Sequence, residues 1–127
     1  MIKGVGIDIV ETARIGALAE KHGERFLRRI YTEAEAAYCR GKSDPAPHLS
    51  ARFAAKEAAA KALGTGIASG VRFRDIEVLA DGGPPRLALH NRAGELARKM
   101  GVARVHLSLT HERGVSAAMV VLEGDAQ

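Results

Sequence analysis

The chain has 127 residues, 46% of them hydrophobic and 27% charged, the balance of an ordinary globular protein and enough for one core, so a single domain over 1–127 is expected. No apolar run approaches the roughly 20 residues of a membrane-spanning helix, and the lone Cys39 has no partner for an internal disulfide or a thiolate metal site, which leaves it a packing role. A formal charge of +4 suits an acidic partner, while two Tyr, three Phe and no Trp leave little to stack nucleic-acid bases on.

Met1 to Gly4 runs into Asp8 and Glu11 without the charged head and apolar middle of a signal peptide, so a cytosolic address is expected. Val5, Ile7 and Ile9 alternate with Gly4, Gly6 and Asp8, which predicts a half-buried strand over Ile2 to Val10. Ile15, Leu18, Ala19 and His22 recur at helical spacing before Gly23, predicting a helix from Thr12 to His22. Thr32-Glu33-Ala34-Glu35 has the form of a capping box and should start a short helix. Gly41 to Pro47 reads as a flexible loop, followed by an alanine-rich helix from Leu49 to Leu63 that ends at Gly64.

After the small-residue loop Gly64 to Gly70, Phe73 to Leu79 reads as a strand. The turn Asp81 to Pro85 folds it back on Arg86 to Leu89 as a hairpin. Asn91 is placed to cap a helix reaching Met100, closed by Gly101. Val105, Leu107 and Leu109 alternate with His106, Ser108 and Thr110, a strand with one apolar and one polar face. His111 to Gly114 turns the chain into Val115 to Leu122, apolar enough to be a central strand, and Gly124 to Gln127 should fray. Helices clustered ahead of C-terminal hairpins depart from regular strand-helix alternation, so the predicted class is α+β with a mostly antiparallel sheet.

Two carboxylates stand out. Asp8 lies on the non-apolar face of the first strand, with space beside it at Gly4 and Gly6; a solvent-facing Asp explains it equally well. Glu57 shares a partly apolar helical stripe with Phe53 and Ala60, where an ionised carboxylate wants a partner. Lys61, four residues on, fits either a plain surface pair or a phosphate contact. Two carboxylates on separate elements with a lysine one turn beyond suit magnesium, which prefers few protein oxygens beside waters and substrate phosphates.

The segments Gly4-Val5-Gly6-Ile7-Asp8-Ile9-Val10-Glu11 with Arg14-Ile15, and Arg52-Phe53-Ala54-Ala55-Lys56-Glu57-Ala58 with Lys61-Ala62-Leu63-Gly64-Thr65-Gly66-Ile67, closely resemble two signature motifs. They are those of the holo-acyl-carrier-protein synthases of the 4′-phosphopantetheinyl transferase superfamily. Phe26, Arg29 to Thr32, Glu35, Gly82 to Pro85 and His106 to His111 match as well, so the resemblance runs from Gly4 to His111. It implies the fold of that superfamily and transfer of the phosphopantetheine arm of coenzyme A to a serine of an acyl carrier protein, releasing adenosine 3′,5′-bisphosphate.

By the same resemblance, Asp8 and Glu57 bind Mg²⁺, and Lys61 contacts the coenzyme A phosphates and stabilises the leaving group. Glu57 or a water on the metal takes the serine proton. Arg52, Gly64, Gly66, Ser108 and His111 belong to the coenzyme A site, and Arg14, Lys21 and Arg25 dock an acidic helix of the carrier protein. Members of this short type are commonly homotrimers with shared active sites. Glu112 after His111 and the doubled Pro84-Pro85 depart from the commoner pattern and touch only nucleotide-pocket detail. His22, His48, His90 and His106 are read as structural or surface residues. The rival readings are a basic nucleic-acid-binding module, a different magnesium enzyme acting on a nucleotide diphosphate, and a silent carrier-protein binder.

Overall fold

In the computed structural model, which describes residues 1–126, the chain opens as a ten-residue strand, β1 (Ile2–Glu11). Helix α1 (Thr12–His22) has the predicted ends. Gly23, at φ 54° and ψ −132°, closes it with its N–H donating to Ala19 O and redirects the chain into α2 (Glu24–Ile30). That second helix, seven residues long, is too short to show a period in the sequence. In α3 (Glu33–Arg40) both halves of the capping box form, Thr32 Oγ1 accepting from the Glu35 amide and Glu35 Oε1 from the Thr32 amide.

Helix α4 (Pro45–Ala62) starts four residues earlier than predicted, which corrects the loop expected over Gly41 to Pro47. Asp44 caps it, and both prolines fall in the first turn, where the N–H groups they lack have no intrahelical acceptor in any case. Phe73–Asp75 is a 3-10 turn rather than strand, and the hairpin β2 (Ile76–Leu79) with β3 (Arg86–Leu89) pairs antiparallel as predicted. In α5 (Asn91–Met100) the N-cap is His90, not Asn91, whose side-chain amide donates to Asp75 Oδ1 at 3.0 Å. Gly101 ends the helix in the left-handed region, φ 79°.

Strands β4 (Val102–Glu112) and β5 (Val115–Gly124) complete an antiparallel sheet of order β1-β5-β4, with β5 central. The architecture is α+β, as predicted. Gly124, expected to fray, is the last residue of β5 and donates to Met1 O at 2.8 Å; Gln127 lies outside the described residues. Among the described residues no helix is long and apolar enough to cross a membrane.

The core forms where α4 lies across β1 and β5, with Ala54, Ala55, Ala58 and Ala59 fully buried. A Cβ added to Gly4 would sit 2.1 Å from Ala62 O, and one on Gly6 1.8 Å from Ala58 O. The space beside Asp8 is therefore filled by helix backbone. This inverts the predicted strand: the row Gly4, Gly6, Asp8, Val10 faces the helix, and the apolar row Val5, Ile7, Ile9 points outward at 54%, 61% and 68% exposure. Absence of side chains decides the inward face, because a helix can lie this close only on a surface without Cβ atoms.

Lys56 is fully buried. Its ammonium donates to Glu35 Oε1 at 2.7 Å, Phe73 O at 3.1 Å and Ile76 O, while Glu35 Oε2 accepts from the Val78 amide at 3.0 Å. Burial lowers the Lys56 pKa and the Glu35 charge opposes it. The pair ties α3, the 3-10 turn and the β2–β3 hairpin to α4. Lys56→Ala leaves a buried carboxylate without its counter-charge and should cost about 3–5 kcal/mol. In urea unfolding, Lys56→Met combined with Glu35→Gln should recover part of that loss; no recovery would show that the charge pairing is not what holds these elements.

Candidate active site

Contact between β1 and α4 sets the site. Gly6 seats the strand against Ala58, and Asp8, next on the same face, comes within electrostatic reach of Glu57. Lys61 is one turn further along α4. Helical side chains lean toward the N-terminus, so its ammonium reaches back to donate to Asp8 Oδ1 at 2.9 Å and Ile7 O at 3.0 Å. The alternative i,i+4 pairing of Lys61 with Glu57 is not among the ion pairs of the described residues; Lys61 pairs with Asp8.

Burial, then the Asp8 charge, raise the Glu57 carboxyl above its ordinary pKa of 4.5, with Lys61 and Arg14 opposing. A divalent cation relieves the repulsion that the neighbouring Asp8 charge imposes on Glu57. No third His, Cys, Asp or Glu forms a metal-holding group with them among the described residues. A hard, all-oxygen donor set with most positions left to water and ligand oxygens fits Mg²⁺.

Arg14 bridges from α1 toward this centre, its guanidinium carbon 5.7 Å from the Phe53 ring centroid. Beyond Phe53, the residues Leu18, Arg25, Phe26 and Phe73 help line a cavity of about 360 Å³, apolar at its centre and basic at its rim. Arg14 and Arg25 therefore flank one surface. Lys21, exposed in the last turn of α1, does not line that cavity.

The remaining candidates fall elsewhere. His111 pairs across β5 with Ser116, which in turn pairs with Val10, placing it two strands, roughly 10 Å, from β1. There it shares a cavity of about 260 Å³ with Lys42, Asp44 and His48. Burial lowers the His48 pKa, and the charges of Lys42, Arg52 and His111 lower it further. Arg52 is almost wholly buried: its guanidinium lies 4.3 Å from the Tyr38 ring and donates to His48 O at 3.3 Å, and its Nε has no partner among the described residues. Ser108 is on the opposite, outer face of the sheet beside Met119 and joins neither group. Gly64 and Gly66, at φ 88° and 62°, turn the chain off α4 with open space beside them.

Two residues have a setting that the sequence did not show. His48, read as structural or surface, shares a cavity with His111, and its i,i+4 spacing with Arg52 becomes a signal once α4 is started at Pro45. Lys56 stands inside the second motif, yet only the fold shows that it is buried while Glu57 beside it is not.

The profile of the 4′-phosphopantetheinyl transferase superfamily matches residues 4–118. A holo-[acyl-carrier-protein] synthase of Anaeromyxobacter dehalogenans strain 2CP-1 is 52% identical over 127 residues, covering 98% of each chain. Among solved structures, the holo-[acyl-carrier-protein] synthase of Neisseria meningitidis superposes with a TM-score of 0.87 at 41% identity, over 97% of this chain and 99% of that one. A holo-(acyl-carrier-protein) synthase from Bacillus anthracis str. Ames, solved in complex with CoA (3′,5′-ADP), gives 0.81 at 40% identity over 98% and 99%. With the fold and both motif segments in agreement, the chain belongs to the 4′-phosphopantetheinyl transferase superfamily, among its holo-[acyl-carrier-protein] synthases.

Proposed function

We propose that this protein, acting as one unit over residues 1–127 in the cytosol, transfers the 4′-phosphopantetheine arm of coenzyme A to a serine of apo acyl carrier protein in a Mg²⁺-dependent reaction. The observation that carries this reading is the convergence of Asp8, Glu57 and Lys61 from β1 and α4 on one half-open site. The CoA complex of the Bacillus anthracis relative supports coenzyme A as donor.

The serine oxygen forms a bond to the β-phosphorus, and the bond from that phosphorus to the bridging oxygen breaks, releasing adenosine 3′,5′-bisphosphate. Asp8 and Glu57 would hold Mg²⁺, which when bound draws charge from the pyrophosphate. Lys61, half-exposed on a flexible stem, supplies positive charge to the departing phosphate. Glu57, held on α4 beside Asp8, or a water on the ion would accept the serine proton. Arg52 and His111, with Ser108, Gly64 and Gly66, serve the coenzyme A side, and Arg14 and Arg25, with Lys21, meet the carrier protein.

The test is direct. Apo carrier protein incubated with the enzyme, coenzyme A and Mg²⁺ should gain the mass of one phosphopantetheine, and chelation by EDTA should stop the gain. Absence of any mass change with Mg²⁺ present would overturn the transferase reading.

In one chain, Ser108 lies on the face of the sheet opposite Asp8, and β5 separates Asp8 from His111. The outer face carries Val5, Ile7, Ile9, Val115 and Met119, all exposed. An apolar sheet face of this extent marks an interface, and the assembly proposed is a homotrimer whose sites are shared between neighbours. Sedimentation should give three times the 13.5 kDa chain mass. Met119→Arg, a charge at the middle of the face, should yield folded monomers with little transfer activity; a trimer in that variant would move the interface elsewhere.

A further inference from the structure

Arg28 and Arg29 at the end of α2, and Arg72 and Arg74 around the 3-10 turn, converge on an open cavity of about 490 Å³ that reaches the start of α5. Arg28, Arg29 and Arg74 have no acidic partner among the described residues, and Arg72 keeps only a long 3.4 Å contact with Asp75. Of the nearby carboxylates, Asp75 and Glu77 are already engaged, while the exposed Glu33 lines an adjoining cavity with Arg28 and Arg74 and forms no ion pair with either among the described residues. Asp75 accepts from the Arg72 amide and from Asn91, each at 3.0 Å, and Glu77 is bonded to Thr32 at 2.7 Å and to His90 at 3.0 Å. Four guanidinium groups thus repel one another across the cleft unless an anion enters.

The kind of anion follows from the walls. Their neutral donors, Thr32 and Asn91, are turned inward onto Glu77 and Asp75, so a small phosphate would meet exposed, rotatable guanidinium groups and no fixed donor. Arg29 also lines the adjoining cavity with Leu18, Phe26, Phe53 and Phe73, making the charged cleft continuous with an apolar surface. An apolar centre with a charged rim is the anatomy of a protein interface.

We propose that the cleft is a second anchoring surface for an acidic protein partner, engaging carboxylates beyond those met by Arg14 and Arg25. It rests on the carrier-protein reading and adds Arg28, Arg72 and Arg74 to the docking residues. Each exposed pair contributes little alone, but two charge reversals in one cleft should raise the carrier-protein KM by about tenfold at low salt.

Steady-state transfer kinetics on the intact enzyme test this. Arg72→Glu/Arg74→Glu should show that rise, shrinking as salt is added, with the KM for coenzyme A unchanged. Arg98→Glu/Lys99→Glu, an equal change of net charge at the far end of α5, should leave the carrier-protein KM as in the parent. Arg28→Glu, from the opposite wall, should also raise it and serves should the double variant prove unstable in a melt. An unchanged carrier-protein KM in a folded cleft variant, or an equal rise in the α5 control, overturns the proposal. Calorimetric binding of pyrophosphate that is lost with Arg72→Glu/Arg74→Glu, without a KM effect, overturns it in favour of a small-anion site. A parent enzyme that transfers nothing refutes the transferase reading instead, which keeps the two failures apart.

Discussion

Glu57→Gln is expected to lower kcat for phosphopantetheine transfer by about 10³-fold, through loss of both a proton acceptor and an ion ligand, while the protein stays folded. Asp8→Asn should do the same through the ion site alone. Stability separates loss of chemistry from loss of fold, and its sign is fixed by the environment of Glu57. Burial and the Asp8 charge raise the folded-state pKa above the ordinary 4.5. The stability that Glu57 contributes is therefore fully present below 4.5 and is lost as pH rises through the folded value. At neutral pH without divalent ions, Glu57→Gln replaces a disfavoured carboxylate by a neutral isostere. Its melting temperature in EDTA should equal or exceed that of the parent. A folded variant that keeps activity within tenfold of the parent would remove Glu57 from the chemistry.

Gly6→Ala should be among the most damaging single-methyl additions available in this chain. The new Cβ would lie 1.8 Å from Ala58 O, against roughly 3.3 Å for an ordinary C···O contact, so β1 and α4 would have to part by about 1.5 Å. Overpacking against backbone costs about 3 kcal/mol or more, which in a domain of this size lowers Tm by roughly 10–15 °C. The same displacement separates Asp8 from Glu57, so transfer activity should fall further than stability alone explains. Gly16→Ala, inside α1, is the control. Its Cβ would meet only Ala46 Cβ at 3.4 Å, and a helical alanine should be neutral or stabilising by up to about 1 kcal/mol. Thermal melts of both variants decide the point: equal Tm values would mean that the strand-helix approach is not limiting.

Much of the architecture was legible because local rules and tertiary packing agree there. The Thr32–Glu35 capping box, the hairpin around Asp81 to Pro85 and the apolar central strand from Val115 each form as their residue patterns predict. Where the reading departs from the fold, a local rule competed with another. Prolines read as loop formers sit at Pro45 and Pro47 in the one part of a helix that tolerates them. The alternation in β1 was legible but its inward face was not, since that face is chosen by the close approach of α4 at Gly4 and Gly6.

The site divides in the same way. Asp8, Glu57 and Lys61 stood out by residue type and were assigned by resemblance to two signature motifs, and their proximity is a property of two packed elements. Separation of Ser108 from Asp8 by the sheet had no counterpart in the sequence, because strand parity shows which residues share a face but not which face meets the helix. His48, which joins His111, was hidden by the late predicted start of α4.

Binding of Mn²⁺, a spectroscopic stand-in for Mg²⁺ at oxygen ligands, probes most directly whether Asp8 and Glu57 grip one ion. Paramagnetic resonance titration in the presence of coenzyme A should show one tightly held ion per chain, absent in Asp8→Asn and absent in Glu57→Gln. Binding of parental strength in either variant contradicts a shared ion between these two carboxylates.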